Sequence, residues 1–235
     1  MGLTQDPDPI TTPDGSPSGV VRVRGTVEGA VKGSVEGVVW DFGNVLIDWD
    51  PLAAIAAGVG EDEARRFLTA TDFDFLAWNH GPDSGGAWED AEAEVRRTHP
   101  HWLEHALAYR ANFAASLLGE VPGTADLVRE LRTAGVPQWG LTNWSDELYP
   151  HAPQRFEVVS LLDGVVVSGT EGVAKPDRRA YELVAERMGL PLTALAFVDD
   201  RASNIEAASA LGMAAVLFTG ADDTRARLRA LGLPV

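Results

Sequence analysis

The strongest constraint on the fold is a regular alternation of strand and helix patterns between residues 121 and 235. Short apolar runs over 136–142, 161–168, 195–198 and 213–218 are separated by helix patterns, several of which end at a glycine. Strands that alternate with helices pair in parallel and carry the helices on both faces of the sheet. The sequence therefore predicts an α/β fold with three layers, in which chemistry concentrates where the strands end.

A first strand is predicted upstream, over residues 38–40. Its apolar run ends in Asp41, and a turn containing Gly43 follows at once. The carboxylate of Asp41 is thus expected at the carboxyl edge of the sheet. There it could act as a nucleophile, as a metal ligand, or as both.

Between this strand and residue 121 the chain has the patterns of helices. Helix formers with spaced apolar residues occupy 52–57, 61–69, 88–97 and 102–118, separated by turn signals such as Gly81-Pro82-Asp83, and no strand-like run is evident. We expect residues 51–120 to form a small all-helical insertion. Residues 37–50 and 121–235 then form the core, and the Pro- and Gly-rich residues 1–36 form a flexible leader.

The charge and composition exclude several classes of function. Nineteen Lys and Arg stand against 35 Asp and Glu, and the net charge of −16 disfavours nucleic-acid and anionic-membrane partners. The chain has no cysteine, so disulfides and thiolate chemistry are excluded. No membrane-spanning run or signal peptide is evident, which predicts a cytoplasmic location. The oligomeric state is left open.

Polar residues follow the ends of the predicted strands. They are Asp41 after the first strand, Thr142 and Asn143 after the second, Lys175 in a later loop, and the pair Asp199-Asp200. Carboxylates that converge on one edge repel each other unless a cation lies between them, and oxygen ligands of this kind suit Mg²⁺. A threonine hydroxyl, backbone amides and a lysine can hold a phosphoryl group. These groups suit attack of a carboxylate on phosphorus through an aspartyl-phosphate intermediate.

The same segments resemble, in order and spacing, the four motifs of the haloacid dehalogenase superfamily. They are Asp41-Phe42-Gly43-Asn44-Val45, Leu141-Thr142-Asn143, Lys175-Pro176, and Val198-Asp199-Asp200 with Asn204. Within that superfamily the chain is similar to the branch with a helical cap of the C1 type, which includes sugar-1-phosphate phosphatases. The resemblance implies a Rossmann-like core with a parallel sheet and a small helical cap after the first core strand.

The resemblance also implies roles for the motif residues. Asp41 is expected to be the nucleophile and a metal ligand, with the Gly43 carbonyl and Asp200 as further ligands of Mg²⁺. Asp199 would bind the metal through water, and Asn204 would support that loop. Thr142 and Asn143 would bind the phosphoryl group, which Lys175 would anchor.

One position departs from the pattern of most phosphatases in the superfamily. They carry a second Asp two residues after the nucleophile, which protonates the leaving oxygen, whereas this chain has Gly43 there. General acid–base catalysis is worth about 10²–10⁴-fold, so another group would have to compensate. Asp48, Asp50 and His80 are the candidates.

The sequence thus predicts a Mg²⁺-dependent phosphatase of a small phosphorylated metabolite, with a sugar phosphate as one candidate. Trp78, Asn79 and His80 are expected to form a loop over the site, with Trp78 and His80 binding the substrate. Two alternatives stay open because of Gly43. One is a haloacid dehalogenase, in which the same Asp41 attacks carbon without a metal, and the other is a non-catalytic protein that binds phosphate and metal.

Overall fold

The computed structural model describes residues 34–235. Residues 1–33, most of the predicted leader, lie outside the described part, and residues 34–36 have no regular secondary structure. Within residues 34–235 no helix is long and apolar enough to cross a membrane.

A parallel sheet of five strands forms the centre of the described chain. Its strands are β1 (Gly37–Trp40), β4 (Gln138–Thr142), β5 (Gly164–Val167), β6 (Leu195–Asp199) and β7 (Ala214–Leu217), and two more strands, β2 (Ile47–Trp49) and β3 (Leu117–Glu120), form a separate antiparallel pair. The spatial order of the large sheet is β5-β4-β1-β6-β7, all parallel. Strand β1 is therefore central, with β4 and β6 as its neighbours.

Within residues 34–235, five α-helices lie between β2 and β3 in the chain, and seven follow β3. The first group is α1 (Pro51–Val59), α2 (Glu61–Leu68), α3 (Phe75–Asp83), α4 (Trp88–Thr98) and α5 (Leu103–Ala111). The second group is α6 (Thr124–Thr133), α7 (His151–Arg155), α8 (Glu157–Ser160), α9 (Ser168–Glu171), α10 (Arg178–Met188), α11 (Ala202–Ala210) and α12 (Ala221–Ala230).

The sheet buries both of its faces under helices. Along β1 the side chains of Val38 and Trp40 join the apolar cluster that includes α6 and α12, whereas Val39 joins the cluster that includes α10 and α11. Successive residues of a strand point to opposite faces, so a strand buried on both sides must be apolar throughout. The predicted α/β fold with a parallel sheet and helices on both faces is confirmed.

The insertion, residues 51–120, is not entirely helical, which corrects the prediction. The pattern over 102–118 suggested one helix, but α5 ends at Ala111, a 3₁₀ turn occupies Phe113–Ser116, and β3 follows. Strand β3 pairs antiparallel with β2, so Ile47 lies opposite Glu120. The pairing partner of β3 lies some 70 residues away in the chain, beyond the reach of a local pattern.

Helix α3 was also missing from the prediction, which took Gly81-Pro82-Asp83 as a turn. Asp74 caps the helix by accepting a hydrogen bond from the Ala77 amide at 3.0 Å, and the helix continues through Pro82 to Asp83. Asn79 and His80 therefore lie on a helix rather than on the predicted loop.

Ser145, followed by Asp146 and Glu147, is typical of the start of a helix, but no helix begins there in the structure. The Trp144 amide donates to the Ser168 hydroxyl at 2.9 Å, and the Ser145 amide donates to Asp83 Oδ1 at 3.0 Å. These backbone groups bond to distant side chains, and residues 146–150 form turns before α7. Pro176 is typical of a first helical turn, and a helix does follow it, but that helix starts at Arg178 after an Asp177 cap.

The close packing of Gly140 on β4 generates a test. A Cβ at Gly140 would lie 2.5 Å from Cε1 of the buried Phe42 ring and 3.1 Å from Val165 Cγ1. Because the ring has no room to move, we expect Gly140→Ala to lower the free energy of unfolding by about 1–3 kcal/mol in urea denaturation. Gly119→Ala on β3 is the control, since its Cβ would meet no atom within 4 Å. Equal effects of the two substitutions would contradict this account of the core.

Candidate functional site

Asp41 is placed by the end of β1 and by the tight turn that follows. Its amide donates to the Val198 carbonyl of β6 at 2.9 Å, which continues the sheet by one residue. The Phe42 carbonyl then accepts from the amides of residues 45, 46 and 47, and Asn44 adopts φ 59°. Asn tolerates this left-handed conformation, and its side chain accepts from the Trp49 amide at 3.1 Å. The turn leaves Asp41 at the sheet edge.

Lys175 joins two of the predicted acidic residues. Its Nζ donates to Asp41 Oδ1 at 2.6 Å and to Asp199 Oδ2 at 2.8 Å, and the residue is 3% exposed. Its backbone is held by Asn143, which donates to the Lys175 carbonyl and accepts from the Lys175 amide, both at 2.8 Å. These two hydrogen bonds hold the motif that contains Asn143 against the motif that contains Lys175.

Asp199 is fixed from the other side. Asn204 Nδ2 donates to both of its oxygens, at 3.0 and 2.9 Å, and the Arg201 amide donates to Oδ1 at 2.8 Å. The supporting position predicted for Asn204 agrees with these contacts. Asp200 lies beside this residue, and one carboxylate oxygen from each of Asp41, Asp199 and Asp200 lies within 4.8 Å of the others.

Burial and mutual repulsion govern the protonation of this cluster. Burial raises the pKa of Asp41 to about 7, against the opposing effect of Lys175. Burial also raises the pKa of Asp200, and the neighbouring Asp199 adds to the effect. For Lys175, burial alone would lower the pKa, but Asp41 and Asp199 raise it above its ordinary value. The lysine therefore stays charged.

The donor set suits a divalent cation. Three carboxylates and one ammonium leave two negative charges when all are ionised, and a divalent ion would neutralise them. All three side chains offer oxygen, which is the ligand type of Mg²⁺. The residues present therefore fit the predicted metal.

A cavity of about 450 Å³ lies over the cluster. Of the residues predicted to form the site, those on its wall are Asp41, Gly43, Asn79, His80, Thr142, Asn143, Lys175, Asp200 and Asn204. Asp199 is fully buried beneath this wall, where it contacts Lys175. Residues distant in the chain are thus brought to one place.

Trp78 is the predicted substrate-binding residue that the structure does not bring to this cavity. Its indole packs among aromatic rings of the insertion, 5.5 Å from the Trp88 ring and 5.8 Å from the Phe75 ring. Its Nε1 donates to the Ala91 carbonyl at 3.1 Å. Trp78 is therefore a packing residue, whereas Trp49 and Trp144 line the cavity.

The three candidates for the missing acid fall in different places. Asp48 is exposed on β2 and does not line the cavity, and Asp50 caps α1 by accepting from the Leu52 amide at 2.9 Å. His80 does line the cavity, where it is exposed and lies 3.2 Å from the Ser84 hydroxyl. Neither Asp48 nor Asp50 is brought to the site.

Asp83 lines the cavity and was missed in the sequence. Its Oδ1 accepts from the Ser145 amide at 3.0 Å and its Oδ2 from Asn79 Nδ2 at 2.7 Å. The Ser168 hydroxyl also donates to its carbonyl, so Asp83 joins the insertion to the core. Burial raises the pKa of Asp83 to about 8, although the Ser145 amide lowers it. The sequence signal that could have indicated Asp83 is the i, i+4 spacing of Asn79 and Asp83 in a helix capped by Asp74.

Comparison with known families agrees with this geometry. The family described as haloacid dehalogenase-like hydrolase matches residues 35–212. The chain belongs to the haloacid dehalogenase-like hydrolases. The predicted superfamily and the general hydrolase class are thereby confirmed, whereas the C1 cap type and the sugar-1-phosphate branch stay predictions.

Curated relatives of this haloacid dehalogenase-like hydrolase carry different names. It is 33% identical over 105 residues to the sesquiterpene phosphatase astK of Aspergillus oryzae, and 35% identical over 107 residues to a phosphatase of Mycobacterium tuberculosis. It is 35% identical over 89 residues to an (S)-2-haloacid dehalogenase of Pseudomonas putida. These matches cover 45%, 44% and 38% of this chain, and 54%, 48% and 39% of the three relatives.

Solved structures share the fold at low sequence identity. A haloacid dehalogenase family enzyme from Bacteroides thetaiotaomicron, in a complex with magnesium, superimposes with a TM-score of 0.62 and 18% identity, over 80% of this chain and 95% of that one. The L-2-haloacid dehalogenase RSc1362 superimposes with a TM-score of 0.61 and 20% identity, over 80% and 87%. The fold is therefore common to enzymes with different names.

The buried Lys175 generates a second test. Lys175→Met would leave the carboxylates of Asp41 and Asp199 buried without their shared cation. We expect the free energy of unfolding to fall by about 3–5 kcal/mol in urea denaturation at pH 8 with a chelator present. The control is Arg178→Met, which breaks an exposed pair with Glu182 and should cost less than about 1 kcal/mol. A loss no larger than that of the control would contradict the proposed pairing.

Proposed function

We propose that this chain is a Mg²⁺-dependent phosphatase that transfers the phosphoryl group of a small phosphate monoester to Asp41 and then to water. The observation that carries the proposal is the cluster at the cavity floor, where Lys175 is bonded to Asp41 and Asp199 beside Asp200. A lysine and a divalent ion together offset the charge of a phosphate that the net charge of −16 would otherwise repel.

The residues take distinct roles in the proposed reaction. An Asp41 oxygen forms a bond to phosphorus while the ester bond between phosphorus and oxygen breaks, and water then attacks the phosphorus of the aspartyl phosphate. Lys175, Thr142 and Asn143 hold the phosphoryl oxygens. The residues that would hold Mg²⁺ are Asp41, Asp200, the Gly43 carbonyl and, through water, Asp199. When bound, the ion would neutralise charge on the phosphoryl oxygens.

The insertion would act as the cap of the site. Helix α3 contributes Ala77, His80 and Asp83 to the cavity wall, and α5 contributes Tyr109. A closed cavity excludes bulk water, which strengthens the electrostatic interactions within it. Lack of nucleic-acid and membrane partners and a cytoplasmic location, which the sequence suggested, remain predictions.

Asp83 supplies the proton that Gly43 cannot. Because burial holds its pKa at about 8, the carboxyl is protonated at neutral pH and can donate to the leaving oxygen. His80 is exposed to solvent and already faces the Ser84 hydroxyl, which makes it the weaker candidate.

Dehalogenation is the second candidate function. Gly43 and the similarity to a Pseudomonas putida dehalogenase favour it, because that reaction needs no leaving-group acid. The pair Asp199-Asp200 favours the phosphatase, since a metal-free reaction has no use for three converging carboxylates. The third hypothesis is a protein that binds phosphate without turnover, and it too is motivated by Gly43 in place of the usual acid.

The central test is release of inorganic phosphate from phenyl phosphate with and without Mg²⁺. We expect release that requires Mg²⁺ in the unchanged chain and none from Asp41→Asn, because an amide is not a nucleophile towards phosphorus. If inorganic phosphate binds with Mg²⁺ but neither protein releases phosphate from the ester, the hypothesis of a non-catalytic binding protein is supported. Halide release from 2-haloacids without phosphate release would establish dehalogenation instead.

The proposed role of Asp83 gives a separate test on two classes of ester. Asp83→Asn should lower kcat on alkyl phosphates by about 10²-fold or more, but hardly on aryl phosphates, whose leaving groups need no proton. Adding Gly43→Asp should restore much of the alkyl activity, since a Cβ at Gly43 meets no atom within 4 Å. Equal losses on both ester classes would show that Asp83 only holds the insertion in place.

A further inference from the structure

We infer that the substrate of this cavity is a phosphate monoester with a single phosphoryl group and a mainly apolar organic group, not a polyhydroxylated sugar. The inference rests on the proposed phosphatase function and deepens it by naming the substrate class. It follows from how polar and apolar groups divide the cavity wall.

The wall above the charged floor is largely apolar. Ile47, Trp49 and Leu117 come from the β2–β3 pair, Phe113 from the 3₁₀ turn before it, and Trp144 and Leu148 from the segment after β4. Apart from Trp49 these residues are buried, and the rings of Phe113 and Trp144 are packed edge to face at 5.6 Å. Binding of a hydrocarbon group against this apolar wall is favourable because it removes apolar surface from water.

Several polar atoms of the upper wall already have partners, although Asn79 Oδ1 and Trp144 Nε1 are buried without one among the described residues. Asn79 and Asp83 are hydrogen-bonded to each other at 2.7 Å, Asp83 also accepts from the Ser145 amide, and His80 faces the Ser84 hydroxyl. These two unpartnered atoms cannot replace all the hydrogen bonds to water that the several hydroxyls of a sugar would lose against this wall. The wall therefore disfavours a polyol.

Leu76 extends the apolar surface to the mouth of the cavity. It is 50% exposed on α3, and among the exposed large hydrophobic residues of the described chain, Leu76, Leu107 and Leu118, it is the one that lines the cavity. A hydrocarbon group entering the cavity would cover this side chain.

The charges of the cavity favour a substrate with one phosphoryl group. Among the described residues that line it, the cations are Lys175 and Arg201, and the acids are Asp41, Asp83 and Asp200. Lys175 is already bonded to two carboxylates. The further negative charge of a diphosphate would have Arg201 as its one additional cation among the described lining residues.

The test compares three primary alkyl esters, whose leaving groups are alike: ethyl phosphate, n-hexyl phosphate and glucose 6-phosphate, each with Mg²⁺. We expect kcat/KM to be on the order of ten- to a hundredfold higher for n-hexyl than for ethyl phosphate. It should also be at least about tenfold higher than for glucose 6-phosphate. A value for glucose 6-phosphate that equals or exceeds that for n-hexyl phosphate overturns the inference.

Ethyl and phenyl phosphate separate this inference from the function on which it rests. If the protein hydrolyses either compound but prefers glucose 6-phosphate, the proposed phosphatase function is retained and the inferred apolar substrate class is overturned. No release from any of the four esters would overturn both.

The substitution Leu76→Ser, with Leu118→Ser as its matched control, tests whether the hydrocarbon group of the substrate contacts Leu76. Leu118 is 54% exposed on β3 and does not line the cavity. We expect Leu76→Ser to raise KM for n-hexyl phosphate by about three- to tenfold, with a smaller change for ethyl phosphate. Leu118→Ser should change neither. Equal effects of the two substitutions would contradict a hydrocarbon group at Leu76.

Discussion

The ammonium of Lys175, held between the carboxylates of Asp41 and Asp199, is the interaction on which the site depends. Three buried charges are tolerable only when each is paired and hydrogen-bonded, and here Asn143 fixes the lysine backbone while Asn204 fixes Asp199. Within the described chain Nζ makes two hydrogen bonds to carboxylates. An ammonium has three protons, so one remains for a phosphoryl oxygen.

The order of strands in the sheet explains why these residues meet. Strand β1 carries Asp41 at the centre, with β4 on one side and β6 on the other, so Thr142 and Asp199 end on neighbouring strands. Parallel strands present the same ends to one edge, and a topological switch point lies beside β1, because β4 and β5 are added on one side of it and β6 and β7 on the other. The charged floor belongs to this sheet, whereas much of the apolar wall belongs to the β2–β3 pair and the insertion.

The sheet and most of the floor were predictable because their signals are local. An apolar run that ends in Asp41 or in Asp199-Asp200 shows both the strand and the edge at which it stops. Strand β3 and the position of Asp83 in the site were not predictable in this way. Strand β3 exists only through its pairing with β2, and Asp83 meets Ser145 across 62 positions of sequence. Trp78 was misplaced for the same reason, since aromatic packing within the insertion decides where its ring points.

Curated relatives of this chain are named both as phosphatases and as dehalogenases, and the atom that the aspartate attacks distinguishes the two reactions. The most direct measurement is mass spectrometry of the peptide that carries Asp41, after acid quenching during turnover of a phosphate monoester. The account predicts a phosphoryl group on Asp41 that appears only when Mg²⁺ is present. Release of phosphate while Asp41 stays unmodified, or an Asp41 ester formed from a 2-haloacid without metal, would contradict it.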